Sequence, residues 1–399
     1  MKIKNLHIKE FKGLRDISIN FEKNDKPLDL VVLAGSNGSG KTRILESILD
    51  YFQKIVNHTE NKNVAGVFFE TDEQNCLNQG YDSNMLYLIL NYYNDENNVE
   101  RGRKVVEENL KVFPKIIYVP TETNFQKVEI ASPMLVREYK FLNIVDTGLI
   151  KDVPSYIATK IIEMANDQED TPMQEIRTAV FKEINEIFEI LDLDIKISGI
   201  SKNAKSIPIF TNSSGDKFDI NELSSGEKQL FLRTLAIRML NPENSIILID
   251  EPELSLHPKW QQRIIDVYRK IGKNNQIIIA THSPHILGSV KKENIMLLDK
   301  DDDGKIVVRT GDELYDSYGQ PTERILEDIM GLKTTRNQEI FDKLEKIREM
   351  VNEDKYETDD FKKEYGDLKE ILGTMDEDIM LIDMEIQIRR KGLKNVKNK

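Results

Sequence analysis

The sequence predicts an α/β fold in which helices cover a central sheet. Three apolar runs, residues 28–34, 246–249 and 276–280, have the length and β-branched content of buried strands. Each run leads into polar residues, and helical periodicity follows. Because functional groups in such folds collect where strands end, the polar residues after these runs are the candidate site.

Composition limits the class of protein. With 399 residues and 39% hydrophobic content the chain can bury a substantial core. Cys76 is the single cysteine, which excludes an intrachain disulfide and fits a reducing cytosol. No apolar run reaches the length of a membrane span, so we expect a cytoplasmic protein without a membrane partner.

Charge argues against a protein that coats nucleic acid. The formal net charge is −13, whereas phosphate contacts require clustered Lys and Arg. Two local basic stretches, residues 101–104 and 389–399, leave DNA contact open. Solvated surface and a frayed terminus are equally good interpretations of them.

The first apolar run continues into a phosphate-binding loop of the form G-x-x-x-x-G-K-T, with a strand before it and an amphipathic helix after it. Glycines allow the backbone N–H groups and the helix N-terminus to point at phosphate oxygens. Lys41 is expected to reach the β- and γ-phosphates and Thr42 to bind Mg²⁺. The candidate nucleotide-binding residues of this loop are Gly35, Asn37, Gly38, Ser39, Gly40, Lys41 and Thr42.

The second run ends at Asp250 and Glu251, and the third at Thr281 and His282. Beside a phosphate loop, Asp250 is the expected Mg²⁺ ligand and Glu251 the residue that orients or deprotonates the attacking water. His282 is expected to contact the γ-phosphate. Outside this context the two acids would cap a helix and the histidine would be an ordinary core residue.

A fourth motif has no chemistry of its own. Ser224, Ser225 and Gly226 precede a helix, where they supply a cap and exposed N–H groups able to bind an anion. Together with the phosphate loop, Asp250-Glu251 and His282, in that family's order, the motif resembles the signature of ABC-type ATPases of the SMC-like branch. The fold that this implies is a P-loop NTPase of the ABC/SMC-head type with an N-terminal antiparallel β portion.

The resemblance implies a site shared between two chains. In that family the signature of one subunit binds the γ-phosphate held by the other, so Ser225 and Gly226 would act in trans in a homodimer enclosing two ATP molecules. Lys12, in the N-terminal Phe-Lys-Gly, corresponds to a basic residue that lies near the nucleotide in that family. An ordinary surface lysine is nearly as good an interpretation of Lys12. The glutamine-loop residue is either Glu122 or Gln126.

The chain also departs from the family. His257 stands where many ABC proteins carry the aspartate of a dimer-contact loop. The helical insert, about residues 130–200, lacks heptads and is too short for coiled-coil arms. Residues 299–304 match half of an EF-hand loop, but no glutamate stands at its twelfth position, so a hairpin turn is the better interpretation.

Helical periodicity dominates the last part of the chain. We expect an ATPase head over residues 1–310 and a helical extension over 311–399 that docks a partner or mediates assembly. Residues 316–336 followed by helices are similar to Septu-type anti-phage ATPases and their retron-associated relatives. That resemblance implies an Mg²⁺-dependent ATPase that senses infection and regulates a separate HNH nuclease, with higher oligomers open.

Two other functions fit parts of the pattern. A recombination-repair ATPase would bind DNA directly in an ATP-dependent manner. The cytosolic subunit of an ABC transporter is disfavoured by the SMC-like N-terminus and by the loop that follows Glu251. The five histidines form no HNH-like cluster, so we expect ATP hydrolysis without intrinsic nuclease activity.

Overall fold

The chain forms two compact units, Met1–Ile325 and Leu326–Lys399. The computed structural model describes residues 1–56, 114–121, 140–201, 207–301 and 303–397. The glutamine-loop candidates Glu122 and Gln126, and the basic stretch 101–104, lie outside these ranges. Among the described residues, no helix combines the length and the apolar character needed to cross a bilayer.

Fourteen strands lie in the described part of the first unit. They are β1 (Asn5–Phe11), β2 (Leu14–Asn20), β3 (Glu22–Lys23), β4 (Lys26–Pro27), β5 (Leu30–Gly35), β6 (Ile116–Val119), β7 (Leu142–Ile144), β8 (Ile195–Ile200), β9 (Pro208–Asn212), β10 (Lys217–Asp219), β11 (Ile246–Asp250), β12 (Gln276–Ala280), β13 (Ile295–Lys300) and β14 (Ile306–Thr310).

Helices follow most of the strands, and three of them form the second unit. The described α-helices are α1 (Lys41–Val56), α2 (Thr147–Asp167), α3 (Met173–Phe188), α4 (Ser225–Met239), α5 (Pro258–Gln261), α6 (Ile264–Arg269), α7 (Pro284–Leu287), α8 (Thr322–Arg324), α9 (Gln338–Asn352), α10 (Asp359–Leu372) and α11 (Glu377–Lys397). A π-helical turn, Ile325–Ile329, follows α8.

The central sheet has seven strands in the order β14-β13-β5-β12-β11-β6-β7. All neighbours pair in parallel except β14, which forms an antiparallel hairpin with β13. This hairpin confirms the turn interpretation of residues 299–304, because Asp301 Oδ1 accepts hydrogen bonds from the N–H groups of Asp303 and Lys305. The α/β fold is therefore confirmed.

Register places the ends of the three central strands side by side. Leu33 of β5 pairs with Ala280 of β12, and Ala280 pairs with Asp250 of β11. The phosphate loop, the two carboxylates and the histidine thus leave the sheet at one edge, as the three apolar runs predict.

One core cluster joins α1 to the sheet and to the N-terminal hairpin β1-β2. Ile44, Leu45 and Ile48 of α1 share this cluster with Val31 of β5 and Ile278 of β12. The period of these apolar residues in α1 matches one helix face, so their burial fixes where Lys41 and Thr42 begin the helix.

The insert packs onto α4. Its helices α2 and α3 are followed by the antiparallel sheet β10-β9-β8. The ring of Phe231 on α4 lies 4.2 Å from that of Phe188 on α3 and 4.8 Å from that of Phe210 on β9. Aromatic contacts of this kind bury large apolar areas, so the insert holds the helix that carries the signature.

The second unit has its own core. Helices α9, α10 and α11 contribute the buried side chains Leu344, Leu368, Ile379, Ile382 and Ile386 to a separate cluster. These helices lie in the last part of the chain, where helical periodicity dominates the sequence.

Candidate active site

The phosphate loop follows β5, and its backbone has the conformation that only glycine adopts without strain. Gly35, Gly38 and Gly40 have φ angles of +144°, +78° and +99°. A Cβ at Gly35 would lie 2.3 Å from the carbonyl oxygen of Leu298 on the neighbouring strand. The first glycine is therefore required both by the turn and by the close approach of β13.

Lys41 begins α1 and turns back over the loop. Its Nζ donates to the carbonyl oxygens of Gly35, at 2.9 Å, and of Ser36, at 3.0 Å. Burial lowers the pKa of Lys41 to about 8, against the opposing effect of the nearby carboxylates, first Glu251. The ammonium group is thus held above the loop, where it can neutralise a phosphate.

Thr42 and Asp250 come together as the sequence predicts. The Thr42 hydroxyl donates to Asp250 Oδ1 at 3.1 Å, and Asp250 is 2% exposed. Burial raises the pKa of Asp250, although hydrogen bonds from Thr121 and Thr42 favour its charged form. A hydroxyl and a buried carboxylate at this distance form a pair of hard oxygen ligands.

Glu251 and His282 face each other beside Lys41. The Oε1 atom of Glu251 lies 3.4 Å from His282 Nε2, and the Nζ of Lys41 lies 3.3 Å from His282 Nδ1. Burial, followed by the charge of Lys41, lowers the pKa of His282. A neutral imidazole fits these neighbours, because Nδ1 can accept from the ammonium while Nε2–H faces the carboxylate.

Sequence reasoning missed Glu253, which holds the backbone under the histidine. Its Oε1 accepts hydrogen bonds from Thr281 Oγ1 and from the His282 N–H, both at 2.7 Å. The other oxygen, Oε2, is buried without a hydrogen-bond partner among the described residues. Its position two residues after Glu251 was the available signal, but the contact with the next strand cannot be read from sequence.

Arg233 is a second residue that sequence reasoning missed. Its guanidinium donates to the carbonyl oxygens of Glu251, Pro120 and Thr121. Arg233 belongs to α4 and is 1% exposed. It therefore ties the signature helix to the ends of β6 and β11. An arginine in an otherwise apolar stretch of helix was the signal in the sequence.

The signature lies at the N-terminus of α4. The Ser224 hydroxyl accepts from the Glu227 N–H, and the Glu227 carboxylate accepts from the Ser224 N–H, which forms a capping box. Ser224 and Ser225 are exposed, whereas a Cβ at Gly226 would lie 2.5 Å from the carbonyl oxygen of Ser255. In the described part of the chain no hydrogen bond joins Ser224 or Ser225 to the phosphate loop of the same chain.

Lys12 and His257 have local partners. Lys12 Nζ lies 2.9 Å from Glu46 Oε2 on α1, and His257 caps α5 by accepting from the Lys259 N–H. Both contacts are compatible with ordinary surface roles. The proposed role of Lys12 near the nucleotide stays a prediction.

A cationic cavity adjoins the phosphate loop. Its volume is about 470 Å³, and Gly38 forms part of its lining. Four basic side chains, Arg15, Arg43, Lys300 and Lys305, and one acidic side chain, Asp303, also line it. Sequence reasoning missed this group because its members come from three separate segments. The cavity extends the positive surroundings of the loop beyond Lys41, which favours a polyanionic ligand.

The residues present fit a phosphate chain and a divalent cation. Ser39 Oγ is buried and has no hydrogen-bond partner among the described residues, and a Cβ at Gly38 would meet nothing within 4 Å. The loop therefore combines an unsatisfied hydroxyl, a lysine and open space. Thr42 and Asp250 supply the oxygen pair suited to Mg²⁺.

Comparisons with known proteins agree with this geometry. Residues 1–132 match a family described as an AAA ATPase domain. Residues 120–288 match an AAA domain family whose description names the AbiEii toxin of a Type IV TA system. Together the two matches span the phosphate loop, the signature, the carboxylates and the histidine.

Individual proteins are also similar to the chain. The Septu protein PtuA of Bacillus thuringiensis is 28% identical over 385 residues, which cover 88% of this chain and 91% of that protein. The Retron Ec83 probable ATPase of Escherichia coli is 30% identical over 193 residues, 48% of this chain and 34% of that protein. A crystal structure of an Smc head bound to the C-winged helix domain of ScpA has 15% identity and a TM-score of 0.41, with 78% of this chain and 99% of that chain covered.

The family models and the two ATPase relatives confirm the resemblance to Septu-type and retron-associated ATPases. The agreement of the family models with a phosphate loop, paired carboxylates and a facing histidine leads to one conclusion. The chain is an ATPase that resembles Septu-type and retron-associated ATPases.

Proposed function

We propose that the protein is an Mg²⁺-dependent ATPase that dimerises on ATP, senses infection and regulates an HNH nuclease of the PtuB kind in bacterial anti-phage defence. The observation that carries the ATP chemistry is the convergence of Lys41, Thr42, Asp250, Glu251 and His282 at one edge of the sheet. The similarity to PtuA over most of both chains supports the defence role. The protein is expected to act in the cytoplasm.

Each residue has a part in hydrolysis. Lys41 neutralises charge on the β- and γ-phosphates, and Glu251 orients or deprotonates the attacking water. His282 stands between these two side chains, within reach of a γ-phosphate held by Lys41. Thr42 and Asp250 would hold Mg²⁺, which neutralises charge on the phosphates when bound.

The exposed signature supports a site shared by two chains. Ser225 and Gly226 lie at a capped helix N-terminus and form no hydrogen bond with the phosphate-loop group in the described residues. Such a helix end is suited to an anion supplied by another molecule. The catalytic group of one protomer and the signature of its partner together would enclose each ATP.

The helical extension, residues 311–399, is proposed as the docking or assembly region, and residues 1–310 as the ATPase head. Most of the extension lies in the compact unit Leu326–Lys399. Regulation of a nuclease would then connect an ATP-dependent change in the heads to proteins assembled through the helices. DNA would be reached through the nuclease or through local basic residues.

The test is the mass in solution of a Glu251→Gln variant with and without Mg-ATP, alone and co-expressed with the protein that the neighbouring gene encodes. Because the variant keeps the binding residues and loses the expected base, we expect it to bind ATP and to associate through the heads, so that its mass rises when Mg-ATP is added. Lys41→Ala is the matched control, since it should bind ATP weakly and remain unchanged by it.

The outcomes separate the candidate functions. A stable complex with the nuclease supports the regulatory role. ATP-driven dimers that bind DNA tightly and no nuclease would favour the recombination-repair alternative. Wild-type rates of hydrolysis in Glu251→Gln would contradict the assignment of Glu251.

A further inference from the structure

Helix α11 carries two apolar faces on opposite sides. One face contributes Ile379, Ile382 and Ile386 to the core of the second unit, where their side chains are 0%, 3% and 7% exposed. A helix that covers a small core needs only one such face, and its other side is normally polar.

The second face is exposed. Met380, Leu381, Met384 and Ile388 are 45%, 60%, 56% and 66% exposed. At 3.6 residues per turn these four side chains fall within an arc of about 100°, opposite the buried isoleucines. We call these four residues the α11 stripe. Four large apolar side chains in one continuous row mark an interaction surface, whereas scattered ones would not.

Charges at the ends of the stripe have opposite signs. Glu377 and Lys391 are both exposed, fall on the same side of the helix as the stripe, and lie equally far along the chain from Met384. The stripe is thus acidic at its N-terminal end and basic at its C-terminal end. Met384 is the midpoint of this pattern.

We propose that the α11 stripe binds the α11 stripe of a second copy of this chain in antiparallel orientation. A two-fold axis near Met384 would place Glu377 of each helix beside Lys391 of the other, with the four apolar side chains of both copies between them. The opposed helix dipoles of an antiparallel pair also favour this arrangement.

The charge pattern selects a second copy over a different partner. A partner surface that carried charges of one sign would be repelled at one end of the stripe. A second α11 stripe, related to the first by a two-fold rotation, presents opposite charges at both ends. Methionine and leucine at the centre adapt readily to a symmetric apolar contact. The inference deepens the assembly role in the proposed function and rests on it, but it requires no nucleotide.

The first test is made in the Lys41→Ala variant without nucleotide, so that association through the heads does not contribute. We expect sedimentation velocity to show a concentration-dependent dimer. Met384→Glu should raise the dissociation constant of this dimer at least tenfold, because the new carboxylate would be buried against the same carboxylate of the second copy. Glu349→Lys, an exposed substitution on α9, is the control and should leave the dimer unchanged.

A charge exchange tests the orientation. Glu377→Lys alone and Lys391→Glu alone should each weaken the dimer by placing like charges together, whereas the double variant should restore it. Such rescue requires that the two positions meet across copies. Failure of the double variant to recover any affinity would overturn the antiparallel arrangement.

Cross-linking locates the axis. With Cys76 replaced by Ser, Met384→Cys should form a disulfide between copies, and Met350→Cys on α9 should not. A monomeric Lys41→Ala protein at high concentration, or a dimer insensitive to Met384→Glu, would overturn the proposal. So would capture of the nuclease on the stripe by a chain that stays monomeric.

These experiments distinguish failure of the stripe contact from failure of the proposed function. Loss of the stripe contact should leave ATP-driven dimerisation of Glu251→Gln intact, since that contact uses the heads. Conversely, a stripe dimer in a protein that binds no nuclease would support this inference while the regulatory role failed.

Discussion

At the scale of single residues, the site depends on backbone conformations that side chains usually avoid. Glu251 has a φ of +44°, and Gly35 has a φ of +144° beside the carbonyl of Leu298. A non-glycine residue held in this region costs on the order of 1 kcal/mol, and surrounding contacts must hold it there. The Glu251 N–H donates to the Ala280 carbonyl at 2.9 Å, and its own carbonyl accepts from Arg233. These bonds hold Glu251 towards His282.

We expect Glu253→Ala to slow ATP hydrolysis about tenfold while ATP affinity changes little. The carboxylate holds Thr281 and the His282 N–H, so its loss releases the imidazole that stands between Lys41 and Glu251. Burial raises the pKa of Glu253. A neutral side chain is therefore tolerated at this position, and Glu253→Gln, which keeps an acceptor oxygen, should retain most of the rate. Steady-state kinetics of the two variants make the measurement.

A double-mutant cycle separates positioning from general damage. If Glu253 acts through His282, adding Glu253→Ala to His282→Ala should slow the enzyme little further. Full additivity of the two losses would show that Glu253 serves another purpose. Thermal unfolding of each variant checks that the comparison is between folded proteins.

The sequence identifies the site residues that belong to motifs. It misses the site residues that reach the site through contacts with segments distant along the chain. Lys41, Thr42 and Asp250 are found because a loop and a strand end have recognisable patterns. Glu253 contacts the loop after a different strand, and Arg43 shares its cavity with a distant hairpin. Spacing along the chain does not encode those neighbours.

At the scale of elements, apolar runs predict strands but not their partners. The three buried runs became β5, β11 and β12, because continuous β-branched residues suit a strand covered on both faces. Their order in the sheet, with β12 between β5 and β11, appears only in the pairing register. The short strand β10, Lys217–Asp219, was not predicted, because it is brief and polar and gains its place by pairing with β9.

Glu183 joins three helices, and Glu183→Gln should destabilise the first unit by roughly 1 to 2 kcal/mol. Its Oε1 accepts from Lys160 of α2 at 2.6 Å and also from Arg238 of α4, while Glu183 itself lies on α3. Without the carboxylate, two partly buried cations would face each other. Chemical denaturation of the wild type and the variant gives the difference, with the exposed Glu175→Gln of α3 as control.

The same carboxylate predicts a dependence on pH. Burial tends to raise the pKa of Glu183, but the hydrogen bond from Lys160 and the charge of Arg238 outweigh it, so the pKa lies below its usual value of 4.5. A depressed carboxyl pKa means that its stabilisation is complete above the unfolded value and is lost as the pH falls through the folded value. The stability difference between wild type and Glu183→Gln should therefore shrink below about pH 4. A difference independent of pH would contradict the assigned ion pairs.

At the scale of the whole molecule, each surface that lacks a partner within the chain has a separate proposed use. The signature at the start of α4 is proposed to face an ATP held by another protomer, and the α11 stripe is proposed to face another α11. Two different self-contacts on one chain allow assemblies larger than a dimer, because each contact can close its own two-fold axis. The sequence predicts a docking or assembly role for the helical extension but does not locate the contact surface, because periodicity does not distinguish a buried apolar face from an exposed one.

Mixing two inactive variants tests the shared site. Lys41→Ala removes the phosphate-loop lysine, and Ser225→Arg places a bulky cation at the signature, so each variant alone should hydrolyse ATP very slowly. A mixed dimer contains one complete site, formed by Lys41 of the Ser225→Arg protomer and the signature of the Lys41→Ala protomer. An equal mixture should regain roughly a quarter of the wild-type rate if half of its dimers are mixed and the sites are independent.

The controls decide between a shared site and two separate ones. Mixing Lys41→Ala with Glu251→Gln should give no recovery, because both changes fall on the catalytic side and every mixed site would lack one of them. Recovery in the first mixture and none in the second would require the signature to act on the neighbouring protomer's ATP. Activity in Ser225→Arg alone, at the wild-type rate, would mean that each chain hydrolyses ATP without its partner's signature. The exposed signature would then have to serve a contact other than nucleotide binding.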